Sequence, residues 1–159
     1  MPLTILELDV LSVEKAVENG PRRCYYCKRA LFSRLRQAAA DDGYPVLLDG
    51  TNASDDAGDR PGMVALRELE VRSPLRECGI TKAEVRRLSR QAGLFTWDKP
   101  AYACLATRIP TGTPLTAAQL ARVERAEQAL AGLGFTDFRV RVAGDAARLQ
   151  VTEAQLPRV

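Results

Sequence analysis

Residues 44–52 read YPVLLDGTN, an unbroken apolar run that closes in a polar turn containing glycine. A run this short, set off by Gly43, predicts a strand buried on both faces and paired in parallel. In open α/β sheets, ligands bind at the carboxyl ends of such strands. Asp49, Gly50, Thr51 and Asn52 are therefore candidates for holding a nucleotide. The carboxylates Asp55, Asp56 and Asp59 that follow have the chemistry to hold a magnesium ion or accept ribose hydroxyls. The bland alternative for all three is a solvated loop.

Upstream of this stretch, TILELDVL (residues 4–11) is β-rich and predicts a further strand. Pro21 ends an acidic helical turn, and KRALFSRLRQAAADD places Leu31, Phe32, Leu35 and Ala39 on one helical stripe that Gly43 stops. Downstream, a helix restarts at Arg60-Pro61-Gly62 with Met63, Leu66 and Leu69 inward. SPLRECGI then reads as an extended link. Thr81 and Glu84 have capping-box spacing ahead of the next helix, with Gly93 as its C-cap. WDKPAYACLATRIPTGTP reads as an ordered loop. Thr116 and Gln119 cap a last helix with Leu120, Val123 and Leu130 on its stripe. DFRVRV and ARLQV alternate strictly around AGDA and predict a hairpin.

The 159 residues, 46% hydrophobic, suffice for one core or for one domain with a small appendage. A net charge of +3 suits anionic small molecules as well as nucleic acid. No apolar run reaches bilayer length and the N-terminal stretch is acidic, so the expected location is cytoplasmic. There is no histidine. That removes Ser-His-Asp and Cys-His catalysis and Cys2His2 fingers, leaving Cys, Asp, Glu, Lys, Arg and backbone to do any chemistry.

In a reducing compartment the four cysteines are more naturally ligands, nucleophiles or buried apolar groups than disulfides. Cys24 and Cys27, in RRCYYCKR, fit a redox dithiol, half a zinc site, part of an iron–sulfur site or plain structure. Cys104, in KPAYACLATRIP, adds a third thiol in a loop dense with special residues. Three thiolates fall one short of a closed zinc site, and Cys78 reads as a small buried apolar group. Three thiolates on a four-iron cluster would instead leave one iron open to sulfide or substrate. In the hairpin, alternation sets Phe138, Val140 and Val142 on one face and Arg139 and Arg141 on the other, with Arg148 and Gln150 beside them. Guanidinium groups so grouped make a phosphate or carboxylate clamp, or an exposed basic surface.

The blocks RRCYYCKRALFSRL, DGTNASDDAGDRPGMVALRELEVRSPL, GITKAEVRRLSRQAGLFTWDKPAYACLATRIPTGTP and FRVRVAGDAARLQV, in this order, resemble the LarE family. Its members are ATP-dependent sulfurtransferases of the PP-loop superfamily that build the nickel-pincer nucleotide cofactor of lactate racemase. The similarity runs from about Leu8 to Val151. It implies an α/β fold: a partial Rossmann-like parallel sheet of the adenine nucleotide alpha hydrolase type over residues 1–103, and a small C-terminal α+β region for substrate binding and oligomerisation over residues 104–159.

The resemblance further implies adenylation of a carboxylate of a pyridinium-3,5-dicarboxylate mononucleotide, with ATP and Mg2+, followed by sulfur insertion. Cys104 matches the sulfur-bearing cysteine. In one branch of the family that cysteine gives up its own sulfur in a single use. In another, a CxxC pair and this cysteine hold a [4Fe-4S] cluster, the role implied for Cys24, Cys27 and Cys104. Arg139 and Arg141 match positions that bind substrate phosphate, and Arg108 matches a site arginine of the RIP block.

The sequence departs from the pattern in three places. It contains no SGGxDS phosphate loop and starts near the family's third strand. Val142-Ala143 stand where two histidines are usual, and Gln150 stands where an acidic residue is usual. The first departure predicts an exposed strand edge and marginal stability or self-association of the polypeptide alone, and the other two bear on the C-terminal substrate site. A separate segment supplying the phosphate loop, a homo-oligomer, and an ATP-inactive metal-binding or assembly module are the corresponding expectations. Binding to transfer RNA is disfavoured, since no basic stripe interleaved with aromatics is present.

Overall fold

The structure, a computed structural model, describes residues 3–55 and 60–159. Asp56 and Asp59 lie outside the described residues. The chain forms two compact units, Met1–Ala16 with Arg22–Lys99, and Val17–Pro21 with Pro100–Val159.

The first unit is built on α2 (Arg23–Asp41) packed against α3 (Pro61–Glu68), preceded by a single turn, α1 (Glu14–Val17). Tyr25 anchors the packing. It is buried, its hydroxyl donates to Glu68 at 2.7 Å and accepts from Arg29 at 2.9 Å, and the Arg22 guanidinium stacks over its ring. Ala65 and Leu66 of α3 are fully covered, whereas Leu31 of the expected α2 stripe is exposed. Gly43 ends α2 with φ of +80°, a conformation glycine adopts without strain. Two further helices follow, α4 (Pro74–Glu77) and α5 (Lys82–Gln91).

The sheet departs most from expectation. Among the described residues the only parallel pairing is a bridge between Leu48 and Arg72, with the Asp49 amide donating to the Arg72 carbonyl and the Arg72 amide to the Leu47 carbonyl. Residues 4–11 form no strand. A 3-10 turn at Val10–Ser12 occupies the end of this stretch, because the Asp9 side chain captures the Leu11 amide locally. Parallel strands need both faces covered. Tyr44, Val46 and Leu48 are instead 62%, 52% and 61% exposed, so the run has the composition of a central strand without its burial. The expected extended link at Ser73–Ile80 is also corrected. Pro74 opens a helical turn there, and the Glu77 carboxylate takes the Ser73 amide.

In the second unit, α6 (Ala117–Gly132) packs on an antiparallel hairpin, β1 (Arg139–Ala143) and β2 (Ala146–Gln150). The register pairs Arg139 with Gln150, Val140 with Leu149 and Arg141 with Arg148, the faces that strict alternation predicts. Val123, Phe135, Val140, Ile109 and Leu115 form the core. Asn19, from the short 17–21 segment, is wholly buried and ties that segment in, donating to the carbonyls of Pro110 and Thr113. A closing 3-10 segment, Glu153–Arg158, is held by Gln155, which both accepts from and donates to the Thr136 backbone.

Candidate functional site

In the first unit a cleft of about 490 Å³ is lined by Cys24 and Lys28 of α2, Asp49, Gly50, Thr51 and Asp55 of the loop, and Arg60 to Met63 at the start of α3. Its size suits a small molecule. Local chemistry shapes its floor. Asp49 accepts from the Thr51 amide, the Thr51 hydroxyl and the Ser73 hydroxyl. Burial pushes its carboxyl up, but these hydrogen bonds, with a smaller contribution from Lys28, outweigh burial and hold it below the usual carboxylate range. Most of its accepting capacity is thus spent within the loop. Asn52 is buried behind the cleft, its side-chain oxygen taking the Ser54 amide and its own amide donating to Asp55.

The α3 start closes the opposite wall. A Cβ built on Gly62 would lie 3.1 Å from Lys28 Cδ and 3.7 Å from Cys24 Cβ. Glycine there lets α2 set Cys24 and Lys28 directly over the first turn of α3. That end of the helix carries no side-chain cap, so the positive end of its dipole, Lys28 and Arg60 give the cleft an anion-attracting wall.

Cys24 and Cys27 lie in the opening turns of α2, one exposed and one partly buried. Cys78 is exposed at the end of α4, not buried as its sequence context suggests. Cys104 belongs to the second unit, exposed at the head of a 3-10 turn, Leu105–Arg108. Among the described residues, neither unit by itself gathers three His, Cys, Asp or Glu side chains into a metal site. The donors available are thiols, the chemistry that suits iron–sulfur and other soft metal centres.

Arg108 is 2% exposed, and its guanidinium is engaged inside the protein. Nε and Nη2 donate to the two oxygens of Glu127 at 2.6 and 3.1 Å, and Nη1 donates to the Thr107 hydroxyl at 2.9 Å. Glu127 also accepts the Val140 amide at 3.0 Å. Burial pushes the Glu127 carboxyl up, but the bonds from Arg108 and Val140 and the nearby arginine charges prevail and hold it low. The residue expected at the substrate is therefore half of a buried ion pair, and Glu127, its counter-charge, did not stand out as a candidate. The available signal was a carboxylate four positions after Val123 and three before Leu130, on the apolar stripe of α6.

On the open face of the hairpin, Arg141 donates to Gln150 and to the Thr107 carbonyl, and Arg139 pairs with Asp137. Arg141 faces Arg148 directly across the strands. Like charges so placed repel, a cost that a bound anion relieves.

No model of a known protein family matches the chain. It is 43% identical to an uncharacterized protein of Synechocystis over 138 residues, 87% of this chain and 52% of that protein. It is 40% identical to the pyridinium-3,5-bisthiocarboxylic acid mononucleotide synthase of Lactiplantibacillus plantarum over 149 residues, 94% of this chain and 54% of that protein. An uncharacterized protein of Methanocaldococcus jannaschii is 31% identical over 136 residues, 86% of this chain and 53% of its own length. The chain spans about half the length of the curated relatives it matches. At 40% identity to that synthase over 94% of its own length, the chain belongs to the LarE family.

Proposed function

We propose that this chain takes part in sulfur insertion into a pyridinium dicarboxylate mononucleotide, on the path to the nickel-pincer nucleotide. The observation that carries the reading is Cys104. It is an exposed thiol at the head of a turn whose Thr107 and Arg108 side chains are held by hydrogen bonds, in a chain 40% identical to a synthase of the bisthiocarboxylated mononucleotide.

The cleft of the first unit is assigned to nucleotide. Lys28, Arg60 and the α3 N-terminus face anionic groups, and Asp55 and the Gly50–Thr51 backbone border them. The open hairpin face, with Arg139, Arg141 and Arg148, is assigned to substrate phosphate, and Arg108 to support beneath it. ATP with Mg2+ is the activating reagent, the Leu48–Arg72 bridge belongs to a Rossmann-like parallel sheet, and the assembly is homo-oligomeric.

Cys24, Cys27 and Cys104 are assigned to a [4Fe-4S] cluster, which when bound supplies an open iron able to carry sulfide. The exposure of Cys24 and Cys104 and the purely thiol donor set fit that group. The chain's own residues bind the substrate phosphate on the hairpin face and orient the acceptor carboxylate toward Cys104.

The test is iron and acid-labile sulfide content, with the visible spectrum, after anaerobic reconstitution. About four irons per chain, lost in Cys24→Ser, Cys27→Ser or Cys104→Ser, is the expected result. That the described residues gather no three metal-ligating side chains around Cys104 favours a second reading, single-use donation of its own sulfur. No iron, together with conversion of Cys104 to dehydroalanine, would establish it. No iron and an intact Cys104 would leave an ATP-inactive binding module.

A further inference from the structure

The polar groups beneath Cys104 form one connected series, with Arg108 donating both ways, to Glu127 on one side and to Thr107 on the other. The Val140 amide donates to Glu127, which also accepts Arg108 Nε; Arg108 Nη1 donates to the Thr107 hydroxyl; that hydroxyl donates to the Cys104 carbonyl at 2.7 Å. The Thr107 amide donates to the same carbonyl at 2.9 Å, and Arg141 holds the Thr107 carbonyl from the hairpin. The Thr107 hydroxyl has one proton to give, and Arg108 decides its direction by approaching as a pure donor. Arg108 in turn is fixed only because a carboxylate stands in the apolar stripe of α6.

We propose that Glu127 is a positioning residue for Cys104, acting through Arg108 and the Thr107 hydroxyl to set the turn that presents the thiol. The role rests on the reading of Cys104 as the sulfur-handling residue, but its test does not. An ordinary buried ion pair would stabilise the unit as a whole; this pair also sets one turn, through one hydroxyl.

The test is amide hydrogen exchange at Thr107 and along α6, in the chain as it stands. Glu127→Gln alone is expected to destabilise the unit, since it leaves the Arg108 charge uncompensated. The deciding variant is therefore Arg108→Met with Glu127→Met, which removes both charges and keeps the volume. Exchange at the Thr107 amide is expected to rise about fivefold, the factor corresponding to one hydrogen bond, while α6 amides stay protected. Thr107→Val should reproduce the rise and Thr107→Ser should restore the parent rate. Unchanged Thr107 exchange in the double variant, or a rise matched by α6, would overturn the proposal. Loss of iron binding or of sulfur transfer affects none of these readouts, so the two readings fail separately.

Discussion

Cys24 and Cys104 are both exposed thiols at the head of helical turns, yet what lies beneath them is opposite in kind. Under Cys104 is the buried Arg108–Glu127 ion pair, joining α6, β1 and the cysteine turn. Under Cys24 is the backbone of α3, brought close by the missing side chain of Gly62, at the wall of an open cleft. One site is fixed by charge and hydrogen bonds across long sequence separation. The other is fixed by steric closeness between two helices, and its polar groups bond mainly to their own loop.

The largest test of that contrast is Glu127→Ala. Breaking a buried pair by removing one member costs roughly 3–5 kcal/mol. Trp97, the chain's single tryptophan, sits in the first unit under the Arg90 guanidinium and so serves as a probe of that unit. Urea denaturation should lose circular dichroism early while the Trp97 fluorescence transition moves less. Coincident shifts would instead show one cooperative body and remove the distinction. Acid should mimic the mutation. Glu127 titrates below the usual carboxylate range in the folded state, so its contribution is complete above the unfolded value and is lost as pH falls through the lowered folded one. In a pH series of melts, the stability gap between the parent and Glu127→Gln should therefore narrow only below about pH 4.

In the first unit the expected costs are smaller and steric. Gly62→Leu must displace Lys28 and Cys24 at a close helix crossing, costing about 1–3 kcal/mol and narrowing the cleft. The check is the Trp97 transition together with nucleotide affinity. Asp49→Ala frees the hydroxyls of Thr51 and Ser73, for about 1–2 kcal/mol, and should speed exchange at the Thr51 amide. A larger effect from Asp49 than from Glu127 would reverse the comparison.

What was legible in the sequence follows the same division. Both capping boxes, the hairpin register and the stop at Gly43 were readable, because each is set by residues a few positions apart. The cysteine pair at the head of a helix and Cys104 in its loop were equally plain. The pairing of residues 44–52 was not, since a parallel strand is defined by distant neighbours, and among the described residues only Arg72 pairs with the run. The Arg108–Glu127 pair spans 19 residues and was readable only as an anomaly, a carboxylate on an apolar stripe. Asn19 hides likewise: its bonds run 91 and 94 residues along the chain.

The smallest expected effect compares like with like. Thr81 and Thr116 make the same capping box, Thr81 taking the Glu84 amide and Thr116 the Gln119 amide, one in each unit and each through a solvent-exposed bond. Replacing either with alanine should cost about 1 kcal/mol. Equal costs would confirm that local motifs act alike in both units, so that the contrast between them resides in the long-range network. If Thr116→Ala costs clearly more in equilibrium denaturation, the start of α6 is coupled to Glu127 eleven residues along it. The helix would then transmit disturbance to the Cys104 turn, and the rigidity assigned to the ion pair would have to be shared with the cap.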